Sequence, residues 1–396
     1  MVATREPWVM ENIVDPYPWY RRLRAESPFK SEAGGSAMGP AEGGAWALLK
    51  FEDCFDVLKD HERFSSRLLG GGGPEAGGMV LIGQDQPRHT RMRNLVNKTF
   101  TPRRVAELEP WVTSIAADLL DQLENEETDF VESFTVPLPV KVIAKMLGIP
   151  GEEHERFKRW SDSFLDFYGA DPAARMQNAW EMATFFGEMA AKRRAEGAED
   201  LITALVEAEI DGEQLTDQEI LAFCILLLIA GNETTTNLLS NFLGIMSRRP
   251  DLWERLREDR ALVEPAIEET LRFESPVQVI PRLAVQDVEI GGQQIREGEV
   301  LQVFFGAGNR DPEEFPEPEV FDIDRDLHQH IAFGLGIHYC LGSPVARLEA
   351  KVAINQMLDR YAAIAPGSLP GERQTLAPVV FGYRRLALRP TPAAAP

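Results

Sequence analysis

The sequence predicts a mainly α-helical chain with a smaller β-rich subregion. Apolar residues return every three to four positions through most of 51–274 and again over 344–361, the period of a helix with one buried face. Strand-like stretches are confined to 277–305 and 378–388. Neither a fixed-period repeat nor a linker-like run interrupts the 396 residues, so one domain over 1–396 is expected, with 1–10 and 389–396 as disordered tails.

The elements follow in order. Helical spacing holds at 51–60, 89–99, 103–124, 140–147, 153–167, 173–194 and 201–208. The next helix, 217–246, would run about 45 Å at ~1.5 Å per residue, and Thr216 with Glu219 makes a capping box at its start. Helices at 250–259 and 261–273 lead into the strand-rich stretch, where Gly291-Gly292 reads as a hairpin turn between 285–290 and 293–296. A last helix is expected at 344–361, and two extended pieces at 378–388. Glycines at 70–73, Pro74 and Gly77-Gly78 mark a mobile loop. It lacks the Gly-Lys-Ser/Thr ending of a phosphate loop, which excludes nucleotide binding there.

Composition narrows the function classes. Hydrophobic residues at 44% and charged ones at 26% describe an ordinary globular protein. Three scattered cysteines, Cys54, Cys224 and Cys340, argue for a reducing compartment, and they are too few for a four-cysteine iron–sulfur cluster. Residues 1–10 have no apolar signal core, and the longest apolar run, 220–230, is 11 residues, so the expected location is cytoplasmic with no membrane partner. A net charge of −22 disfavours nucleic acid. One basic island stands against it: Arg88, Arg91, Arg93, Lys98, Arg103 and Arg104, with no acidic residue between 86 and 106. Such an island is either a solvated helix face or a seat for anionic groups.

The most informative segment is Phe333-Gly334-Leu335-Gly336-Ile337-His338-Tyr339-Cys340-Leu341-Gly342. Its glycines admit backbone angles closed to other residues, and a helix follows directly. A thiol near a helix N-terminus ionises more readily, and a thiolate is a strong ligand for iron. A lone cysteine is more often inert packing, but the spacing of glycine, histidine and cysteine outweighs that reading. A second feature interrupts the 217–246 helix with Ala230-Gly231-Asn232-Glu233-Thr234-Thr235-Thr236-Asn237. This is either a solvated face or a polar notch in a buried helix, and the flanking leucines, isoleucines and Phe223 favour the notch.

The cysteine segment resembles the haem-ligand loop of the cytochrome P450 superfamily, soluble bacterial type, and the notch resembles its Ala-Gly-x-Asp/Glu-Thr-Thr motif. The resemblance implies a P450-like fold with the long helix over the haem, and haem b held non-covalently with Cys340 as its axial thiolate. It implies that Ala230 lies beside the cofactor and that Glu233 and Thr234 deliver protons during dioxygen activation. His89, Arg93, Arg282 and His338 would hold the haem propionates, and Phe333 would shield the thiolate. Taken singly, His89 is equally a surface residue and Arg282 a strand-edge charge. Glu269 and Arg272, one helical turn apart, would form the structural pair of the core. Many relatives add an arginine where this chain has Val320, and Arg325 is the candidate replacement. The implied activity is a monooxygenase that hydroxylates or epoxidises a hydrophobic small molecule, fed by a separate ferredoxin and ferredoxin reductase. A peroxide-driven oxygenase or a haem-based sensor is the alternative.

Overall fold

A computed structural model describes residues 5–31, 35–36, 39–40, 43–70, 80–97, 100–123, 126–165, 171–210, 213–326, 330–375 and 377–394. Most of the Gly-rich loop at 70–78, and Lys98 of the basic island, lie outside the described residues. The chain forms two compact units, each gathered from separate stretches of sequence.

The first unit comprises Met1–Thr90, Glu269–Cys340 and Pro378–Phe381. Its frame is a five-stranded sheet with the spatial order Phe29–Ser31, Ala45–Leu48, Val300–Phe304, Val279–Ala284, Phe64–Ser65. All neighbours are antiparallel except Ala45–Leu48 with Val300–Phe304. The helix Phe51–Lys59 buries Phe51, Cys54, Val57 and Leu58, a single face by their spacing, against Leu301, Val303 and Ile331. A second cluster joins Trp19, Tyr20, Phe29, Phe304 and Phe381. It draws in the N-terminal segment expected to be disordered: Trp8 stacks on Phe304 at 6.0 Å, and Ser31 Oγ donates to the Glu6 carboxylate at 2.8 Å. An exposed tail cannot offset its ordering entropy, but a half-buried tryptophan packed on an aromatic cluster can. The expected hairpin forms as Val288–Ile290 with Gln293–Ile295.

The second unit comprises Arg91–Glu268, Leu341–Ala377 and Gly382–Pro396. Asp217–Met246 runs unbroken for 30 residues, and the capping box is present: Glu219 N–H donates to Thr216 Oγ1 at 3.2 Å, and Thr216 N–H to Glu219 Oε2 at 2.9 Å. Among the described residues this helix alone is long and apolar enough to cross a membrane. Here that apolarity is used in packing against Pro137–Met146, His154–Leu165, Pro172–Glu196 and Ser343–Arg360. The helix expected at 103–124 is two, Pro102–Ala106 and Glu109–Asp121, because Pro110 lacks the N–H that a continuous helix would need. Residues 389–392, expected in a disordered tail, belong to the strand Ala387–Pro392, which pairs antiparallel with Tyr361–Pro366. Its prolines sit in a short sheet whose ladder they only partly interrupt.

Candidate active site

Backbone hydrogen bonds fold the cysteine loop. Cys340 N–H donates to Phe333 O at 2.9 Å, Gly334 N–H to Ile331 O at 2.9 Å, and Tyr339 N–H to Gly336 O at 3.1 Å. Gly336 has φ +64, and a Cβ there would lie 2.9 Å from Leu58 O, so only glycine fits the turn. Cys340 is half-buried, whereas Cys54 and Cys224 are fully buried. Burial pushes both of those thiols up, and Cys54 Sγ donates to Leu48 O at 3.3 Å. Of the three cysteines, Cys340 alone is open to a ligand. The helix Ser343–Arg360 begins three residues on, with Pro344 in its first turn.

The same unit holds His89, Arg282, Phe333 and His338. The imidazoles of His89 and His338 meet with ring centroids 4.3 Å apart, and His89 is 1% exposed, so it is not a surface residue. Phe333 is half-buried beside Tyr339, at 6.3 Å between rings. Arg282 is 3% exposed on Val279–Ala284, opposite Leu301 and inside the sheet rather than at its edge. Its guanidinium donates to Pro281 O at 2.9 Å and, among the described residues, forms no ion pair. Burial lowers its pKa to about 10, against a raising influence from Asp85. Asp85 was not singled out in the sequence. It accepts from Ser66 N–H at 2.9 Å and from Ser65 Oγ, while its carbonyl accepts the N–H of His89. Its only sequence signal is its place one helical turn before His89.

Glu269 and Arg272 are fully buried and doubly hydrogen-bonded, Nε and Nη2 each at 2.7 Å from a carboxylate oxygen. Arg272 also donates to the carbonyls of Asn309 and Pro318. Arg325 Nε stands 3.5 Å from Glu269 Oε1, completing a charge cluster of two arginines on one glutamate. Val320 itself is 49% exposed and contributes its carbonyl to both arginines.

In the second unit the 230–237 stretch keeps its helical bonds. Thr234 Oγ1 donates to Ala230 O at 2.7 Å, and Thr236 Oγ1 to Thr135 O at 3.0 Å. Ala230 is exposed and Gly231, Glu233 and Thr234 are half-buried, while Leu228, Ile229, Asn232 and Thr235 are buried. The polar notch, not the solvated face, is the arrangement observed. Asn237, also missed as a site residue, donates from Nδ2 to Glu233 Oε1 at 3.2 Å. Arg93 is half-buried on Arg88–Asn97, with Nε donating to Asn97 Oδ1 at 3.1 Å. The basic island is smaller than its sequence suggests, because Glu107 pairs with both Arg103 and Arg104.

A family model described as Cytochrome P450 matches residues 172–375. Cytochrome P450 109 of Bacillus spizizenii is 39% identical over 386 residues, 95% of this chain and 92% of that protein. The structure of CYP109Q5 from Chondromyces apiculatus is 38% identical, covers 98% of both chains and superposes with a TM-score of 0.87. The CYP109E1 structure from Bacillus megaterium, in complex with testosterone, is 37% identical over 95% of this chain and 99% of that one, with a TM-score of 0.85. The chain belongs to the cytochrome P450 family. It is a cytochrome P450 monooxygenase of bacterial type, and it binds haem b through a cysteine thiolate.

The residues of this P450 fit that group. A buried guanidinium without a counter-ion is costly unless an anion arrives, and a haem propionate is such an anion. Among the described residues no cluster of three or more His, Cys, Asp or Glu side chains would cage a bare metal ion. One accessible sulfur suits iron whose other ligands come from a porphyrin.

Proposed function

We propose that this P450 inserts one oxygen atom of dioxygen into a C–H bond or double bond of a hydrophobic small molecule. It works in the cytoplasm as one haem-thiolate domain, with electrons from a separate ferredoxin and ferredoxin reductase. The observation that carries the reading is Cys340, the one cysteine not sealed in a core, held on a loop whose backbone bonds fix it. Cys340 Sγ would ligate the iron, while Arg282, His89, His338 and Arg93 would bind the propionates. Ala230 would lie against the cofactor, and Phe333 would keep water from the sulfur. Bound haem b supplies the redox-active iron that activates dioxygen.

The chain's own part is proton supply and exclusion. Glu233 is the proton carrier, and the Thr234 hydroxyl orients the last donor, a pairing of acid and alcohol on adjacent residues. This pair favours dioxygen over peroxide as oxidant, since peroxide already brings its protons. The exposed Arg88 and Arg91 are the contact for an acidic ferredoxin. The testosterone complex of the related CYP109E1 supports starting a substrate search with apolar, steroid-sized compounds.

The test is the absorbance spectrum of the reduced, carbon-monoxide-treated protein. Wild type should give the long-wavelength Soret band of a thiolate complex, and Cys340→Ser should lose that band together with turnover. A haem-loaded wild type without the band would refute Cys340 as ligand. Titration with testosterone, read as a Soret shift, tests the substrate class separately.

A further inference from the structure

We propose that Asn237 is a positioning residue for Glu233, and that the backbone at Gly382 sets the Asn237 amide. The inference rests on the reading of Glu233 as proton carrier. Asn237 lies one turn after Glu233 on the long helix and is fully buried, and its Nδ2–H donates to Glu233 Oε1 at 3.2 Å. Its Oδ1 is also buried, yet accepts no hydrogen bond among the described residues. Leaving a desolvated amide oxygen unpaired is a cost that folded chains keep to few places. A purely structural role would be met more cheaply by leucine, which has nearly the same shape.

Gly382 explains why the amide keeps one orientation. A Cβ at 382 would overlap the Asn237 amide oxygen and carbon, and would lie 2.7 Å from Asn237 Cβ. The absent side chain therefore leaves the space in which the amide sits. The chain around Gly382 is itself pinned to the same helix. Tyr383 N–H donates to Ser240 Oγ at 3.3 Å, Ser240 Oγ donates to Asn237 O at 3.2 Å, and Tyr383 OH accepts from Arg248 at 3.4 Å. Gln374 N–H closes the far side on Gly382 O at 3.1 Å. The amide is thus held by a fixed backbone, and a fixed amide holds one carboxylate oxygen through a charge-assisted bond.

The experiment uses the haem-loaded protein and the infrared C–O stretch of carbon monoxide on its ferrous iron, which reads the polar groups near the bound gas. NADPH consumption with a plant-type ferredoxin and its reductase is the second readout. Glu233→Ala should shift the stretch, Asn237→Leu should shift it too, and the double variant should match Glu233→Ala alone. NADPH consumption should fall about tenfold in Asn237→Leu, less than the ~10²–10⁴-fold set by losing the acid itself, because the carboxyl is still present but no longer oriented. Gly382→Ala should reproduce the Asn237→Leu stretch, and it serves if leucine prevents folding. Additive shifts in the double variant, or a shift in Glu233→Ala with none in Asn237→Leu and Gly382→Ala, overturn the inference alone. No shift in Glu233→Ala overturns the reading of Glu233 beneath it.

Discussion

Glu349→Gln should make this P450 more stable at alkaline pH while changing little at pH 5. Glu349 lies on Ser343–Arg360, is 3% exposed, and has an Oε2 with no hydrogen-bond partner among the described residues. Burial alone raises its pKa from 4.5 to about 8. The folded chain therefore holds this proton more tightly than the unfolded chain does. Its contribution to stability is complete below pH 4.5 and is lost as pH rises toward 8. At ~1.4 kcal/mol per pH unit, wild type should lose about 3–4 kcal/mol relative to the glutamine variant between pH 5 and 8. Urea unfolding of both proteins, followed by tryptophan fluorescence at half-unit pH steps, reads that difference directly. Other titrating groups cancel in the comparison. If the two stability curves stay parallel to within about 1 kcal/mol across that range, the carboxyl is not neutral in the folded state and the reasoning fails.

Further outcomes follow from the same geometry. Arg272→Ala should cost about 3–5 kcal/mol in urea unfolding, because it leaves Glu269 charged, buried and short of its main partner. Arg325→Ala should cost less, since its guanidinium contacts are mostly carbonyls near the surface. Arg282→Leu should release haem to an acceptor globin about tenfold faster, as expected for one lost charged hydrogen bond, yet raise the melting temperature of the haem-free protein by removing a buried cation. Equal haem release would remove Arg282 from the propionate set. Thr234→Ala should divert reducing equivalents to peroxide, measured as peroxide formed per NADPH; an unchanged ratio would contradict its role. Arg88→Glu with Arg91→Glu should slow reduction by ferredoxin and weaken its salt dependence in stopped-flow traces.

What the sequence by itself determined is local. The start and length of Asp217–Met246 follow from Thr216, Glu219 and the apolar spacing, and the turn at Gly336 follows from a backbone angle that only glycine adopts freely. Helix ends, caps and tight turns depend on residues within a turn or two, so they are legible without neighbours. The Phe333–Gly342 motif and the Ala230–Asn237 stretch were readable for the same reason. Only the tertiary structure decided which charges are stranded and which are paired. It buried Arg282 without an ion pair among the described residues, brought Arg325 to Glu269 where Val320 has no charge, and used Glu107 to neutralise part of a basic island. It also set Gly382 against Asn237 and drew 389–392 into a sheet with Tyr361–Pro366. Burial and counter-charge come from segments tens to hundreds of residues away, and local sequence carries no record of which distant chain will exclude the water.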